Sequence, residues 1–154
     1  MIFLRNYFLS TTDGLDVLSI IHEVNRAISE GNAKEGLATI IVPSPGGALT
    51  IMETLPEIVE KFKEAVKIFS GLDAVTKNRR KEEVTVGSRV AAAMLGKSIS
   101  IPIKDGKLLL ASREEPVLVD FESKGLRREF YVQITGAGGD EAKQAGRVPQ
   151  QMRG

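Results

Sequence analysis

Residues 94–112 read MLGKSISIPIKDGKLLLAS, and this stretch decides the fold class. Between residues 99 and 103, isoleucines alternate with smaller residues, which is the period-two pattern of a strand with one buried face. The Asp105-Gly106 pair that follows is typical of the two-residue turns that join antiparallel strands. The stretch therefore predicts a β-hairpin. Pro102 is predicted at a sheet edge or bulge, because proline cannot donate a hydrogen bond to a neighbouring strand.

The residues after the hairpin continue the strand pattern. Apolar residues alternate again over residues 117–121 and 130–134, so the C-terminal half is predicted to be an antiparallel meander with one apolar face. The last residues of the chain have almost no apolar side chains and no period, and such a segment cannot offset its ordering entropy. We therefore predict a single domain over residues 1–137 and a flexible tail over residues 138–154.

The residues before the hairpin carry both strand and helix patterns. Branched and apolar composition between turn residues predicts strands over residues 2–11, 36–42 and 48–52. Apolar residues at three- and four-residue steps, or a run of small residues, predict helices over residues 16–30, 55–69 and 90–95. The polar residues 74–83 are interpreted as a solvated loop.

Composition excludes several classes of function. The chain of 154 residues has a formal net charge of +1 and 5% aromatic residues, so nucleic acid and membrane partners are not expected. It has no cysteine and one histidine, which excludes thiolate chemistry and multi-histidine zinc sites, and we expect no metal and no cofactor. The N-terminal residues resemble neither a signal peptide nor a membrane span, and a cytoplasmic protein is expected.

The element order and residues 94–112 together resemble the YjbQ-like family, small proteins named for a secondary thiamine-phosphate synthase activity. The resemblance extends from about residue 8 to residue 136. It is supported by Glu35-Gly36-Leu37, by ALTIME at residues 48–53 and by Gly125 with Arg127-Arg128. The resemblance implies an α+β fold in which antiparallel β-sheets pack as a sandwich with flanking helices. It also implies a homotrimer with clefts at the subunit contacts.

The chain departs from the family at its most characteristic polar positions. Where the family usually has a His-Thr-Thr run, this chain has Ser44-Pro45-Gly46. Where the family has an Asn and a His, this chain has Thr85 and Arg89, and Arg113-Glu114 replaces a Trp-Gln pair. Serine, proline and arginine have no group that titrates near neutral pH, so an acid–base mechanism that used those histidines cannot operate here. We interpret the turn at residues 44–47 as the remnant of a lost active site.

One hypothesis is that the chain is a trimeric, non-catalytic module that binds a small phosphorylated or carboxylate ligand. Arginines can bind such anions through two parallel hydrogen bonds, and the Gly-Gly backbone can add amide donors. The candidate ligand-binding residues are Ser44, Gly46, Gly47, Arg89, Arg113 and Arg127, with Arg128 as a further cation. The alternative is that these arginines are solvated or paired across the trimer with Glu53, Glu82, Glu83, Glu114 or Glu115.

The second hypothesis is an enzyme of the secondary thiamine-phosphate synthase type that acts on phosphorylated small molecules. In this case Glu53 is the catalytic residue, as a general base or a hard-metal ligand, while Arg89 and Arg127 neutralise developing charge. The alternative is that Glu53 is an acid at the start of the following helix that interacts with the helix dipole, which is the usual role of a glutamate at a strand end. A phosphate-binding loop of the P-loop type is not expected, because the turn at residues 44–47 has no lysine and a strand follows it.

Overall fold

Residues 1–70, 75–77, 83–122, 125 and 127–138 are described by a computed structural model of the chain. This part contains three helices: α1 (Ile21–Glu30), α2 (Pro56–Ser70) and α3 (Val86–Leu95). It also contains ten strands: β1 (Ile2–Ser10), β2 (Asp16–Ser19), β3 (Glu35–Ile41), β4 (Gly47–Glu53), β5 (Val75–Lys77), β6 (Glu83–Thr85), β7 (Ser98–Lys104), β8 (Lys107–Leu108), β9 (Glu114–Asp120) and β10 (Arg127–Ala137).

The strands form two main antiparallel sheets. Sheet A has five strands in the order β1-β10-β3-β7-β8, and sheet B has three strands in the order β2-β9-β4. Strands β5 and β6 pair separately. The predicted α+β class with antiparallel sheets is confirmed. The C-terminal half is not the predicted meander, because β9 belongs to sheet B while β10 lies between β1 and β3 in sheet A.

Sheet B lies between sheet A and two helices. Leu49 and Leu118 of sheet B belong to the same buried cluster as Phe130 of sheet A and the apolar side of α1. The opposite side of sheet B packs against Val66 of α2 and Ala91 of α3. Strand β9 is therefore buried on both faces from residue 116 to residue 120, which is why its sequence is a continuous apolar run rather than the predicted alternation.

The hairpin in the opening stretch is confirmed. Asp105 and Gly106 have φ of 52° and 75°, the pair of positive values that the tightest hairpin turns require. Strand β8 is short, and Pro102 gives the reason. The Pro102 carbonyl accepts a hydrogen bond from the Leu109 N–H at 2.9 Å. Because proline has no N–H, it cannot donate the second hydrogen bond of an antiparallel pair, and β8 ends at Leu108.

Three predicted elements differ from the structure. Residues 16–30 are not one helix, because residues 16–19 form β2 and pair with β9 before α1 begins. The small-residue helix begins at Val86 rather than at residue 90, and the predicted loop at residues 74–83 contains β5. Four-residue segments carry too little periodicity to separate strand from helix, and pairing with β9 decides the first case. Apart from Gly138, the predicted tail lies outside the described residues.

Two glycines lie opposite each other where β3 pairs with β10, and they provide a test of the register between these two strands. Gly36 is the Cα partner of Gly136, and a Cβ on Gly36 would lie 2.1 Å from the Thr135 carbonyl oxygen. Gly36 also has a φ of +150°. We expect Gly36→Ala to lower the free energy of unfolding by about 3 kcal/mol, because the colliding atoms are backbone. The measurement is urea unfolding at a fixed protein concentration.

Gly14→Ala is the matched control. Gly14 also has a positive φ, but a Cβ there would meet no described atom within 4 Å. We expect a loss of about 1–2 kcal/mol from backbone conformation alone. Equal losses for the two variants would contradict the close approach of β3 and β10.

Candidate functional site

The turn at residues 44–47 carries the chain from sheet A to sheet B. It follows β3 and leads directly into β4, so a strand and not a helix follows its two glycines, as predicted. The Phe121 N–H donates to the Gly46 carbonyl at 2.9 Å, which attaches the turn to the end of β9. Lys97 Nζ donates to the Pro43 carbonyl at 2.8 Å on the other side. The turn is therefore held at both of its ends.

Arg128 fixes the middle of the turn from β10. Its side chain is 3% exposed, and Nη1 donates to Ser44 Oγ at 2.9 Å and to the Pro45 carbonyl at 2.6 Å. Nη2 donates to Asp120 Oδ1 at 2.8 Å. Arg128 Nε has no hydrogen-bond partner among the described residues, and Gly47 packs beside it. Arg128 thus joins the turn to the buried end of β9.

Asp120 is the anion that compensates Arg128. Its side chain is fully buried and accepts hydrogen bonds from Thr11 Oγ1 at 2.5 Å and from the Glu122 N–H at 2.9 Å. A buried ion pair is tolerated only where the desolvated charges are also hydrogen-bonded. Both carboxylate oxygens of Asp120 meet this condition. The Asp120 carboxylate is therefore occupied by hydrogen bonds within the chain and is not open to a ligand.

The first turn of α3 contacts the other side of the turn through Glu122. Ser88 Oγ donates to Glu122 Oε1 at 3.1 Å, and Arg89 Nε lies 3.9 Å from the same oxygen. The Arg89 side chain is half exposed. Glu122 also lies against the turn, since a Cβ on Gly46 would fall 2.3 Å from Oε1. The cations Arg128, Arg89 and Lys97 and the carboxylates of Asp120 and Glu122 therefore surround the turn among the described residues.

The structure brings four of the seven predicted site residues together and places three elsewhere. Ser44, Gly46, Gly47 and Arg89 surround Glu122 and Arg128. Glu53 is the last residue of β4 and lies about 20 Å along the strand from Gly47. Arg113 lies at the same end of sheet B, because it precedes Glu114, the Cα partner of Glu53. Arg127 is exposed, and its guanidinium lies 4.0 Å from the ring centre of Phe8. Within one chain, the proposed catalytic Glu53 is separated from the turn.

Sequence reasoning missed the acids that pair with the arginines. Within the described residues, Arg128 pairs with Asp120 and Arg89 lies near Glu122, whereas the predicted partners were other glutamates. The alternation of β10 contained a usable signal, because Arg128 lies on the same face of the strand as the core residues 130, 132 and 134. A cation at an inward position requires a buried partner. Nothing in the sequence indicated that Thr11 or Ser88 would join the group.

Two concave surfaces among the described residues lie at the end of sheet B opposite to the turn. A groove of about 600 Å³ runs between α1, β8 and the start of β9, and its lining includes Asn25, Leu108, Leu110, Glu114 and Glu115. A smaller cavity of about 170 Å³ continues along α1. None of the predicted site residues lines either one.

The described residues contain neither a cluster of metal-binding side chains nor a membrane-spanning helix. Among them, no three His, Asp or Glu side chains gather closely enough to hold a metal ion, and His22 is exposed on α1. No helix of the same residues is long and apolar enough to span a membrane.

Comparison with known sequences finds relatives along nearly the whole chain. A family model described as UPF0047 protein YjbQ-like matches residues 5–137. The UPF0047 protein MJ1081 of Methanocaldococcus jannaschii is 31% identical over 133 residues, which cover 86% of this chain and 94% of that protein. A UPF0047 protein of Archaeoglobus fulgidus is 25% identical over 124 residues, covering 78% and 92%.

Comparison with solved structures supports the same fold. A YbjQ-like protein of unknown function, SSO2532 from Sulfolobus solfataricus, superposes with a TM-score of 0.81 at 20% identity, covering 89% of this chain and 99% of that one. The hypothetical protein APE1520 from Aeropyrum pernix superposes with a TM-score of 0.79 at 20% identity, covering 87% and 98%. At this identity the likeness concerns the fold alone.

The neighbouring residues Arg127 and Arg128 provide a test of the buried ion pair. We expect Arg128→Met to lower the free energy of unfolding by about 3–5 kcal/mol, because it leaves the Asp120 carboxylate buried without its cation. We expect Arg127→Met to cost under about 1 kcal/mol, since it removes only an exposed contact with Phe8. Urea unfolding at one protein concentration measures both.

The double variant Arg128→Met with Asp120→Asn separates loss of packing from loss of charge balance. We expect it to be more stable than Arg128→Met alone, because no uncompensated charge stays buried. Equal stability of the Arg127 and Arg128 variants would contradict the role assigned to the pair.

Proposed function

Because the chain belongs to the YjbQ-like UPF0047 family, we propose that it is a homotrimeric, non-catalytic binding module of that family. Its ligand is a small phosphorylated or carboxylate molecule that binds beside the turn at residues 44–47. The observation that carries the proposal is Arg89, a half-exposed cation next to a turn whose other charged groups are engaged in structure.

The chemistry around the turn argues against catalysis. Four hydrogen bonds and an ion pair occupy Arg128 and Asp120. The turn itself contributes serine, proline and two glycines, which offer no group for proton transfer near neutral pH. Glu53 lies at the far end of β4 in the same chain. The residues of the turn and Glu53 therefore form no acid–base site within one chain, and the carboxylates beside the turn, those of Asp120 and Glu122, accept hydrogen bonds from neighbouring residues.

Arg89 has the properties of an anion ligand. Its Nε lies 3.9 Å from Glu122, which is beyond hydrogen-bond distance, so its guanidinium donors are available to a second partner. Guanidinium matches the geometry of carboxylate and phosphate oxygens. Arg89 also stands in the first turn of α3, where the helix dipole favours anions. The Ser44 hydroxyl accepts from Arg128 and retains its own proton to donate.

Isothermal titration calorimetry with inorganic phosphate, pyrophosphate and thiamine phosphate tests the ligand class. We expect heat of binding with at least one of them, and at least a tenfold weaker affinity for Arg89→Gln. Arg113→Gln is the control, because Arg113 is an exposed arginine at the other end of sheet B. No heat with any of the three anions would contradict the proposal.

An activity assay tests the absence of catalysis. Purified protein is incubated with the pyrimidine pyrophosphate and thiazole phosphate that form thiamine phosphate. We expect no more product than with Glu53→Gln, because Glu53 is separated from the turn. Product that forms with the unchanged chain and is lost in the Glu53 variant would support the enzyme hypothesis instead.

A further inference from the structure

The groove of about 600 Å³ beside α1 has the size and the lining of a small-molecule site. Ligand pockets commonly enclose about 300–1,000 Å³ and combine apolar walls with a few polar groups. Here Leu108 and Leu110 lie on one side and Ile21 of α1 lies on the other, and all three are partly buried. Asn25 adds a neutral polar group from α1. The groove therefore has room for a compound with an apolar body.

Backbone hydrogen bonds connect the two sides of the groove at both of its ends. The Ile20 N–H, just before α1, donates to the Pro116 carbonyl of β9 at 3.0 Å. Beyond the end of α1, the Gly106 N–H of the hairpin turn donates to the Lys34 carbonyl at 3.0 Å. The helix and the hairpin are thus fixed relative to each other. A groove that is formed before binding loses little conformational freedom when a ligand enters it.

Glu114 is the charged side chain of the lining that faces this groove. It lies on the same face of β9 as Leu118, which packs towards sheet A and α1. Its Oε1 accepts a hydrogen bond from the Ala111 N–H at 2.9 Å, which fixes the carboxylate at the wall of the groove. Alternation places Glu115 on the opposite face of β9, and it places Lys107 on the face of sheet A that points away from sheet B.

A second carboxylate lies opposite Glu114. Glu53 is its Cα partner on β4, and directly opposed residues of an antiparallel pair share a face, with Cβ atoms about 5 Å apart. Like charges in this position destabilise a sheet. Among the described residues, no cation lies within salt-bridge distance of either carboxylate. The two anions beside the groove therefore have no ion-pair partner in the described part of the chain.

The other end of the groove has the opposite charge. Glu114 lies near the start of α1, whereas Lys34 follows its end and lines the smaller cavity that continues along the helix. Lys34 Nζ lies beside Gly106, since a Cβ on Gly106 would fall 3.5 Å from it. A ligand with one cationic group is attracted to the Glu114 end and repelled from the Lys34 end. The charges of the groove thus orient such a ligand.

We propose that this groove binds an organic cation, a primary ammonium or amidinium group on an apolar body, with the cationic group at Glu114. The apolar body lies against Leu108 and Leu110. Hydrogen bonds between an ammonium group and a carboxylate are stronger than those between neutral groups, so the charge decides which apolar compounds are retained. This site is separate from the anion site of the proposed function, because neither Ser44 nor Arg89 lines the groove.

Titration of 15N-labelled protein with benzylamine, followed through the amide signals, tests the inference. We expect shifts at Asn25, Leu108 and Ala111. We expect Glu114→Gln to weaken the affinity about tenfold, because it removes a hydrogen bond to a charged group. Glutamine keeps an oxygen that can accept from the Ala111 N–H, so the loop is retained. Glu57→Gln is the matched control, because Glu57 is exposed in the first turn of α2 and does not line the groove, and its affinity is expected to be unchanged.

Benzyl alcohol has the same ring as benzylamine without the charge, and it separates cation binding from apolar binding. We expect its affinity to be about tenfold weaker. Equal affinity for the two compounds overturns the inference, as do benzylamine shifts that avoid the groove or an unchanged affinity in Glu114→Gln. If that variant does not fold, Glu53→Gln replaces it, with weaker binding the expected result and unchanged affinity the contradicting one. Arg89→Gln is expected to keep the benzylamine affinity, so the groove and the anion site fail independently.

Discussion

The buried ion pair between Arg128 and Asp120 lies where the chain passes between the two sheets. Arg128 is the second residue of β10 in sheet A, and Asp120 ends β9 in sheet B. Ser44 and Pro45, which bond Arg128, connect β3 of sheet A to β4 of sheet B. Thr11, which bonds Asp120, follows β1 and precedes β2. Three connections between the sheets therefore meet at one pair of charges, and the relative position of the sheets depends on it.

This constraint explains why the turn at residues 44–47 has a structural role. Breaking one partner of a buried, hydrogen-bonded ion pair leaves the other charge desolvated, which is among the largest single losses a fold can suffer. Arg128, Ser44 and Asp120 are therefore held in one arrangement and are not free to reorganise around a substrate. Arg89 stands at the edge of the same group with half of its side chain in solvent, and it can interact with a ligand without disturbing the pair.

Arg127 and Arg128 show how strand geometry assigns different roles to identical neighbours. Successive side chains of a strand point to opposite faces, so Arg128 points into the core, while Arg127 points to the opposite, exposed face of sheet A, the outer face. Sheet B and α1 pack against the inner face of sheet A. The outer face carries apolar residues on β1 and β3 that nothing in the described part of the chain covers. The same alternation thus accounts for both the buried site and the exposed surface.

The sequence by itself determined the elements whose signals are local. Asp105-Gly106 requires two positive φ values and fixes the hairpin, while the apolar period of α1 and α2 fixes two helices. Only the tertiary structure decided that residues 16–19 form a strand, because their hydrogen-bonded pairing with β9 requires residues distant in sequence. It also decided that β9 is buried on both faces, because sheet A covers one face and helices α2 and α3 cover the other. It also decided the site, since Thr11 and Asp120 are 109 residues apart and no sequence period relates them. Glu53 and Ser44 lie close in sequence but at opposite ends of β4, because an extended strand separates residues by about 3.3 Å each.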